Sequence, residues 1–292
     1  MRNMRILITG AENTLSRTLL SALRSEYARQ TKILMPAKDF MDITKKESVD
    51  FLFSTLKPHI VFHFEELDGH AEVLTEDLYK TNVNGTKNIV KACKKNGTRL
   101  IYLSTAHVFD GYKKTSYTVN DTPEPRCTYG ETKLRSEKEV RTLHNSCIIR
   151  TTDIYSEDND NYIKDFITKA KNGEVIPAYD DVYFSPTSEK DLAEWFITTM
   201  QSKKTGTFHV ANKGCVSGYE FVCHVLEQYG LDPEKGVERI SKSDDMINPP
   251  VNTALDTDCL NLNCMPTLPA WEVSVDRYVA ELKNRKVKSK KD

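Results

Sequence analysis

The sequence predicts an α/β fold, a doubly wound parallel sheet with a small mixed α/β lobe toward the C-terminus. Three observations carry this. Strand-like and helix-like segments alternate through the first half of the 292 residues. The strand-like runs "RILIT", "HIVFHF", "RLIYLS" and "SCIIRT" are continuously apolar, as suits a parallel sheet covered on both faces. The first run passes through a glycine into an amphipathic stretch, "ITGAENTLSRTL", which reads as strand, tight turn and helix.

Each element follows in order. "RILIT" is the first strand. Leu15, Leu19, Leu20 and Leu23 recur at helical spacing in "TLSRTLLSALRSEYA". "KILMPA" is a second strand, and "KKESVDFLFSTL" a helix closed by Pro58. "HIVFHF" is a third strand, and "NVNGTKNIVKACKKNG" is the end of a long helix stopped by Gly97. "RLIYLS" and "SCIIRT" are the fourth and fifth strands, with the helix "TYGETKLRSEKEVRTL" between them. Beyond these, "NYIKDFITKAKNG", "EKDLAEWFITTMQS", "YEFVCHVLEQYG" and "WEVSVDRYVAELKNRK" read as helices and "GTFHVA" as a strand. The expected division is residues 1–155 for the sheet domain and 156–292 for the lobe, some of whose segments return to the main sheet. On such sheets ligands bind at the carboxyl ends of the strands, so the informative residues lie just after each strand.

Bulk properties exclude several classes. The net charge is -1, which provides no basic field for nucleic acid. The basic tail "KNRKVKSKK" reads as a solvated terminus. No stretch approaches the roughly 20 apolar residues that span a bilayer. The opening "MRNMRILITG" runs directly into the first strand with no room for a signal peptide, so a cytoplasmic location is expected. Seven cysteines without a CxxC pair read as reduced thiols. Seven histidines lack metal-ligand spacing, and no metal is expected.

The chemistry-bearing residues begin with Tyr129 and Lys133. Four residues apart on a helix, they share one face with their heads close together. An ammonium beside a phenol favours the phenolate, so the Tyr129 pKa is expected to fall. Such a tyrosine can exchange a proton with a ketone or a sugar hydroxyl. Ser104 and Thr105 follow the fourth strand, where the Thr105 hydroxyl can share the substrate oxygen with Tyr129; a turn-capping role is the alternative for this pair.

With these residues in place, the chain resembles an extended short-chain dehydrogenase/reductase, with a Rossmann-like sheet. Within that superfamily it is similar to the dTDP-4-dehydrorhamnose reductases. The resemblance runs nearly end to end, through "MDITKKESV", "NVNGTKNIVKAC", "LSTAHVFDG", "YGETKLRSEKEV", "IIRTTDIYS", "SPTSEKDLA", "GTFHVANKGCVSGYEF" and "VNTALDT". It implies an NADP- or NAD-dependent oxidoreductase of dTDP-rhamnose biosynthesis type, acting on a nucleotide-linked 4-keto-6-deoxy sugar. It further implies that Thr105, Tyr129 and Lys133 are catalytic, Tyr129 giving the proton and Lys133 lowering its pKa and holding the nicotinamide ribose. Cofactor contacts are implied at Gly10, Asn13, Thr14, Leu15, Asp42, Ile43, Glu65, Tyr129 and Lys133. Lys38 suits a 2′-phosphate and Asp39 a free ribose, so NADP and NAD both stay open.

Departures from the family cluster around the cofactor. Its GxxGxxG turn is Gly10, Asn13, Ser16 here. Asn13 occupies space near the expected pyrophosphate, and Ser16 adds bulk between helix and strand. A small Ala-Ala pair after the third strand is Glu65-Glu66. If both carboxylates point inward, dinucleotide affinity falls; if they point outward, the cost is small. On the substrate side the family's Asp-Tyr is Ala106-His107, two tryptophans are Asp153 and Gly218, and an arginine is Pro250. His107 reads as a partly buried structural histidine, with a polar contact in the pocket as the alternative, and Arg150 as half of a structural ion pair. The alternative function is a non-catalytic regulatory or scaffold subunit of the same fold, similar to the regulatory β subunit of methionine adenosyltransferase. The first function takes a nucleotide-sugar substrate; the second requires a protein partner; a homodimer fits either. An epimerase or dehydratase ranks behind both, because "TAH" after Ser104 lacks the acidic residues dehydratases need.

Overall fold

The computed structural model describes residues 4–27, 31–68, 73–156, 161–242 and 251–288; Pro250 lies outside them. The chain enters through β1 (Met4–Thr9), turns at Gly10 and runs into α1 (Thr14–Tyr27), β2 (Thr31–Leu34), α2 (Lys46–Leu56) and β3 (Ile60–His63). A helical run follows: α3 (Thr75–Leu78), a wider π-helical stretch (Tyr79–Gly85) and α4 (Thr86–Asn96). The expected long helix thus contains a widened segment. At its end Ile43 packs against Gly85, where a Cβ would lie 2.6 Å from the Ile43 side chain. Gly97 closes α4 in the left-handed region (φ 65°). Then come β4 (Arg99–Thr105), α5 (Thr128–Val140) and β5 (Ser146–Thr151).

The rest of the chain adds β6 (Ile154–Tyr155), α6 (Tyr162–Asn172), β7 (Ile176–Tyr179), β8 (Tyr183–Phe184), β9 (Thr187–Ser188) and α7 (Glu189–Thr199). It continues with β10 (Gly206–His209), β11 (Val216–Ser217), α8 (Gly218–Tyr229), β12 (Val237–Ile240), α9 (Asp258–Leu262) and α10 (Trp271–Lys288). The four expected helices correspond to α6, α7, α8 and α10. Sequence periodicity missed the pairings β7–β12, β8–β11 and β6–β9, since strands of two to four residues have no period to read.

The main sheet has the order β10-β5-β4-β3-β1-β2, and every pairing in it is parallel. β10 comes from the second half of the chain, so that half completes the sheet. One face packs on the α1 leucines and on Leu192, Phe196 and Met200 of and after α7. The other packs on Val49, Leu52 and Phe53 of α2 and on Ile89, Val90 and Cys93 of α4. A further core joins α6, α8 and α10 around Phe221, Trp271 and Tyr278. Strand order reverses between β1 and β3, and a ligand crevice forms at such a switch point. The Gly10 turn follows β1 at this point, and Glu65 and Glu66 follow β3.

Candidate active site

The ends of β1 and β3 are knitted by Thr9. Its hydroxyl accepts from the amides of Phe64 and Glu65, each at 3.2 Å, and bonds His63 Nδ1 at 2.7 Å. Gly10 (φ 81°) sits so close that a Cβ would lie 2.8 Å from the Phe64 and Glu65 backbone. Only glycine meets both demands. Ser16 is fully buried and donates to Thr9 O at 3.2 Å, so its extra bulk is absorbed within the helix–strand contact. The Asn13 oxygen accepts from Leu15 N–H at 2.9 Å, capping the start of α1. The turn therefore keeps its shape despite losing two glycines. Leu15 itself is buried in the core, and Thr14 is half-buried beside it.

The two carboxylates after β3 both turn inward. The Glu65 carboxylate sits near Lys38 and the Gly10 amide, which both favour its charge; burial outweighs them and raises its pKa above the ordinary value. Glu66 accepts from Lys133 Nζ and, at 3.2 Å, from the Tyr129 hydroxyl. Lys133 is almost wholly buried (2% exposed) and also donates to Leu103 O at 2.7 Å. Its ammonium stands 4.6 Å from the centre of the Tyr102 ring. Burial works against the lysine charge, but Glu66, Tyr102 and Tyr129 together outweigh it and hold the pKa above the ordinary value.

This arrangement overturns one expectation. The Tyr129 pKa is not lowered but well above its ordinary value, first through burial and then through Glu66, with Lys133 pulling the other way. The carboxylate spends the field of the ammonium before the phenol can use it.

Helix α5 holds the pair in place through close packing at its start. Cys127 caps it, and a Cβ on Gly130 would come within 2.1 Å of His107 O. The residue beside Tyr129 must therefore be glycine for the helix to reach the β4 loop. At the far side Ser104 Oγ donates to Glu137 Oε1 of α5 at 2.6 Å. Arg150 grips both oxygens of the same carboxylate, the structural ion pair expected of it. Thr105 Oγ1 accepts from His107 N–H at 3.2 Å, so it caps the short turn after β4 while its residue lines the cavity.

That cavity, of about 800 Å³, is walled by Glu66, Ser104, Thr105, His107, Tyr129, Thr151 and Asp153 among others. Of the residues implied by resemblance, it gathers Thr105 and Tyr129 with Lys133 directly behind them. Gly10, Asn13, Glu65 and the start of α1 form a second group at the switch point. Asp42 and Ile43 follow β2, and Asp42 is near enough to Glu65 to add to the rise in its pKa. Asp42 accepts from Thr44 N–H and Oγ–H at 2.9 and 2.7 Å, and the Ile43 side chain is core. His107 stands partly buried in the cavity wall, with its ring 5.9 Å edge-on to Tyr129. Burial lowers its pKa, and its Nδ1 has no partner among the described residues, nor does Thr151 Oγ1. Glu66 was noted in the sequence only as an obstacle; its contact with Tyr129 and Lys133 bridges elements 63 and 67 residues apart, beyond any local pattern.

A parallel sheet with this switch point, its glycine turn and a Tyr-x-x-x-Lys helix define a protein of the extended short-chain dehydrogenase/reductase class. More narrowly, the chain belongs to the RmlD substrate binding domain family, whose profile matches residues 4–284. It is 30% identical over 236 residues to dTDP-4-dehydrorhamnose reductase of Aggregatibacter actinomycetemcomitans, covering 77% of this chain and 79% of that protein. Methionine adenosyltransferase 2 subunit beta of Rattus norvegicus is 26% identical over 254 residues, covering 78% of this chain and 72% of that one. Among solved structures, dTDP-4-dehydrorhamnose reductase from Bacillus anthracis in complex with NADP superposes with a TM-score of 0.86 at 28% identity. That match covers 96% of this chain and all of the other. No helix among the described residues is long and apolar enough to cross a membrane.

Proposed function

We propose that the chain is a nicotinamide-dependent reductase of a nucleotide-linked 4-keto-6-deoxy sugar. The observation that carries this is the placement of the Thr105 and Tyr129 side chains in one cavity wall with the Lys133 ammonium behind them. The turn supports a dinucleotide: Gly10 keeps it tight against the end of β3, and α1 begins directly after it, the arrangement of a phosphate-binding helix N-terminus. Glu66 engages Lys133, and the Glu65 carboxylate lies beside the Gly10 turn, so the group fits only when these carboxylates yield. When bound, a dihydronicotinamide would supply the hydride that the carbonyl carbon takes up. Tyr129 then passes its phenolic proton to the carbonyl oxygen, and the ketone becomes a secondary alcohol. Its raised pKa keeps that proton in place at neutral pH. Lys133, once free of Glu66, stabilises the phenolate left behind. Thr105 Oγ–H is placed to share the substrate oxygen, while its lone pairs hold the His107 amide. His107, Thr151 and Asp153 line the cavity in which the sugar would sit. NADP is the first cofactor to test, given the Bacillus anthracis relative.

A second reading, a non-catalytic subunit, is favoured by one observation, the hold of Glu66 on Lys133. It is also consistent with the likeness to methionine adenosyltransferase 2 subunit beta. NADPH and NADH titrations followed by nicotinamide fluorescence, with an oxidation assay on dTDP-linked 4-keto-6-deoxy sugars, separate the two. Sugar-dependent oxidation of either cofactor is expected. No binding up to millimolar and no oxidation would sink the reductase reading and leave the second.

A further inference from the structure

We propose that Glu66 is an internal occupant of the cofactor's anchor on Lys133, and that displacing it sets how tightly the chain binds a nicotinamide dinucleotide. The inference rests on the reductase reading. An ammonium has three N–H donors. One goes to Leu103 O at 2.7 Å, one to Glu66 Oε2, and the head lies over the Tyr102 ring. Little is left for a ribose hydroxyl. The buried charge also needs a counter-charge, and Glu66 is the carboxylate that touches it. A neutral hydroxyl is a poor exchange for that carboxylate, so binding is resisted until Glu66 moves.

It has somewhere to go. Its side chain is 19% exposed and lines the 800 Å³ cavity. The backbone beside it is fixed: Asn82 accepts from Leu67 N–H and donates to Leu67 O, both at 2.8 Å, and donates to Thr132 Oγ1 of α5 at 3.0 Å. The loop stays pinned to the helix, leaving side-chain rotation as the release. Glu66 also accepts from the Tyr129 hydroxyl, so a single rotation frees both members of the catalytic pair.

The test is NADPH and NADH binding to the full chain and to Glu66→Ala and Glu66→Gln, read by nicotinamide fluorescence and calorimetry. Melting curves without ligand establish that each variant is folded; if Glu66→Ala is not, Glu66→Gln decides alone. The expected result is at least tenfold tighter binding by Glu66→Ala, with Glu66→Gln between it and wild type. Wild type binding as tightly as both variants overturns the inference and leaves the reductase reading intact. No binding by any of the three overturns both. Binding by the variants alone upholds the inference while removing the reductase reading for the natural chain.

Discussion

Arg150 and Glu137 face each other in a buried two-point ion pair, Nε to Oε1 and Nη2 to Oε2, both at 2.8 Å. Because Glu137 also takes the Ser104 hydroxyl, the pair ties the end of β4 to the helix that carries Tyr129 and Lys133. Glu137→Gln should lower stability by about 3–5 kcal/mol, the usual result of leaving a buried charge unmatched. Urea unfolding of wild type and variant measures it. Burial raises the Glu137 pKa, but Arg150, Ser104 and Arg141 outweigh it and leave it below the ordinary value. Its contribution is thus complete above the ordinary carboxyl range and is lost as pH falls through the lowered value. The gap between the two proteins should close on acidification.

Glu65 has the opposite sign. Its folded pKa is raised, so the ionised form opposes folding at neutral pH and the penalty disappears as pH falls through the raised value. Glu65→Gln should stabilise the chain at pH 7, within the ~1 kcal/mol scale of most single changes, and should lose that advantage in acid. Thermal melts from about pH 3, below the ordinary Glu pKa of about 4.3, up to neutral pH show whether the difference follows this course. A constant difference would mean that charge is not its cause.

Tyr129→Phe should reduce turnover about 10²–10⁴-fold, the range for losing a positioned proton donor. It removes one bond to Glu66, so stability should change by only about 1 kcal/mol. Steady-state rates and melts on the same preparation separate the two effects. Full turnover in the variant would assign the proton to another group.

Gly10→Ala tests the turn. A φ of 81° and a Cβ contact of 2.8 Å with backbone leave alanine no relaxed position. A destabilisation of about 1–3 kcal/mol is expected from the strain, together with loss of NADPH binding. Denaturant midpoints and fluorescence titration check each half.

The sheet was legible in the sequence because its strands are unbroken apolar runs and its helices carry leucines in register. Tyr129 and Lys133 were legible for a local reason, since four residues on a helix fix their neighbourhood. Glu65 and Glu66 were visible as anomalies, but their direction was not. Beyond the end of a strand no alternation governs which way a side chain turns, and the answer came from Thr9 pinning the Phe64 and Glu65 amides. The Tyr129 pKa was misjudged for the same reason, because the reading weighed its helical neighbour and lacked the carboxylate arriving from β3. The two readings of His107 could not be separated locally, because only the folded turn after β4 sets its ring against Tyr129.

The Asn82 clamp on Leu67 has a kinetic consequence. With Leu67 held to Asn82, release comes from rotation of the Glu66 side chain, which runs far faster than the microsecond-and-slower opening of a lid. Mixed rapidly with NADPH, the chain should give a single exponential whose observed rate rises linearly with cofactor concentration. Asn82→Ala, which unties Leu67 from α5, should add a slower phase that levels off, the signature of a segment that must first rearrange.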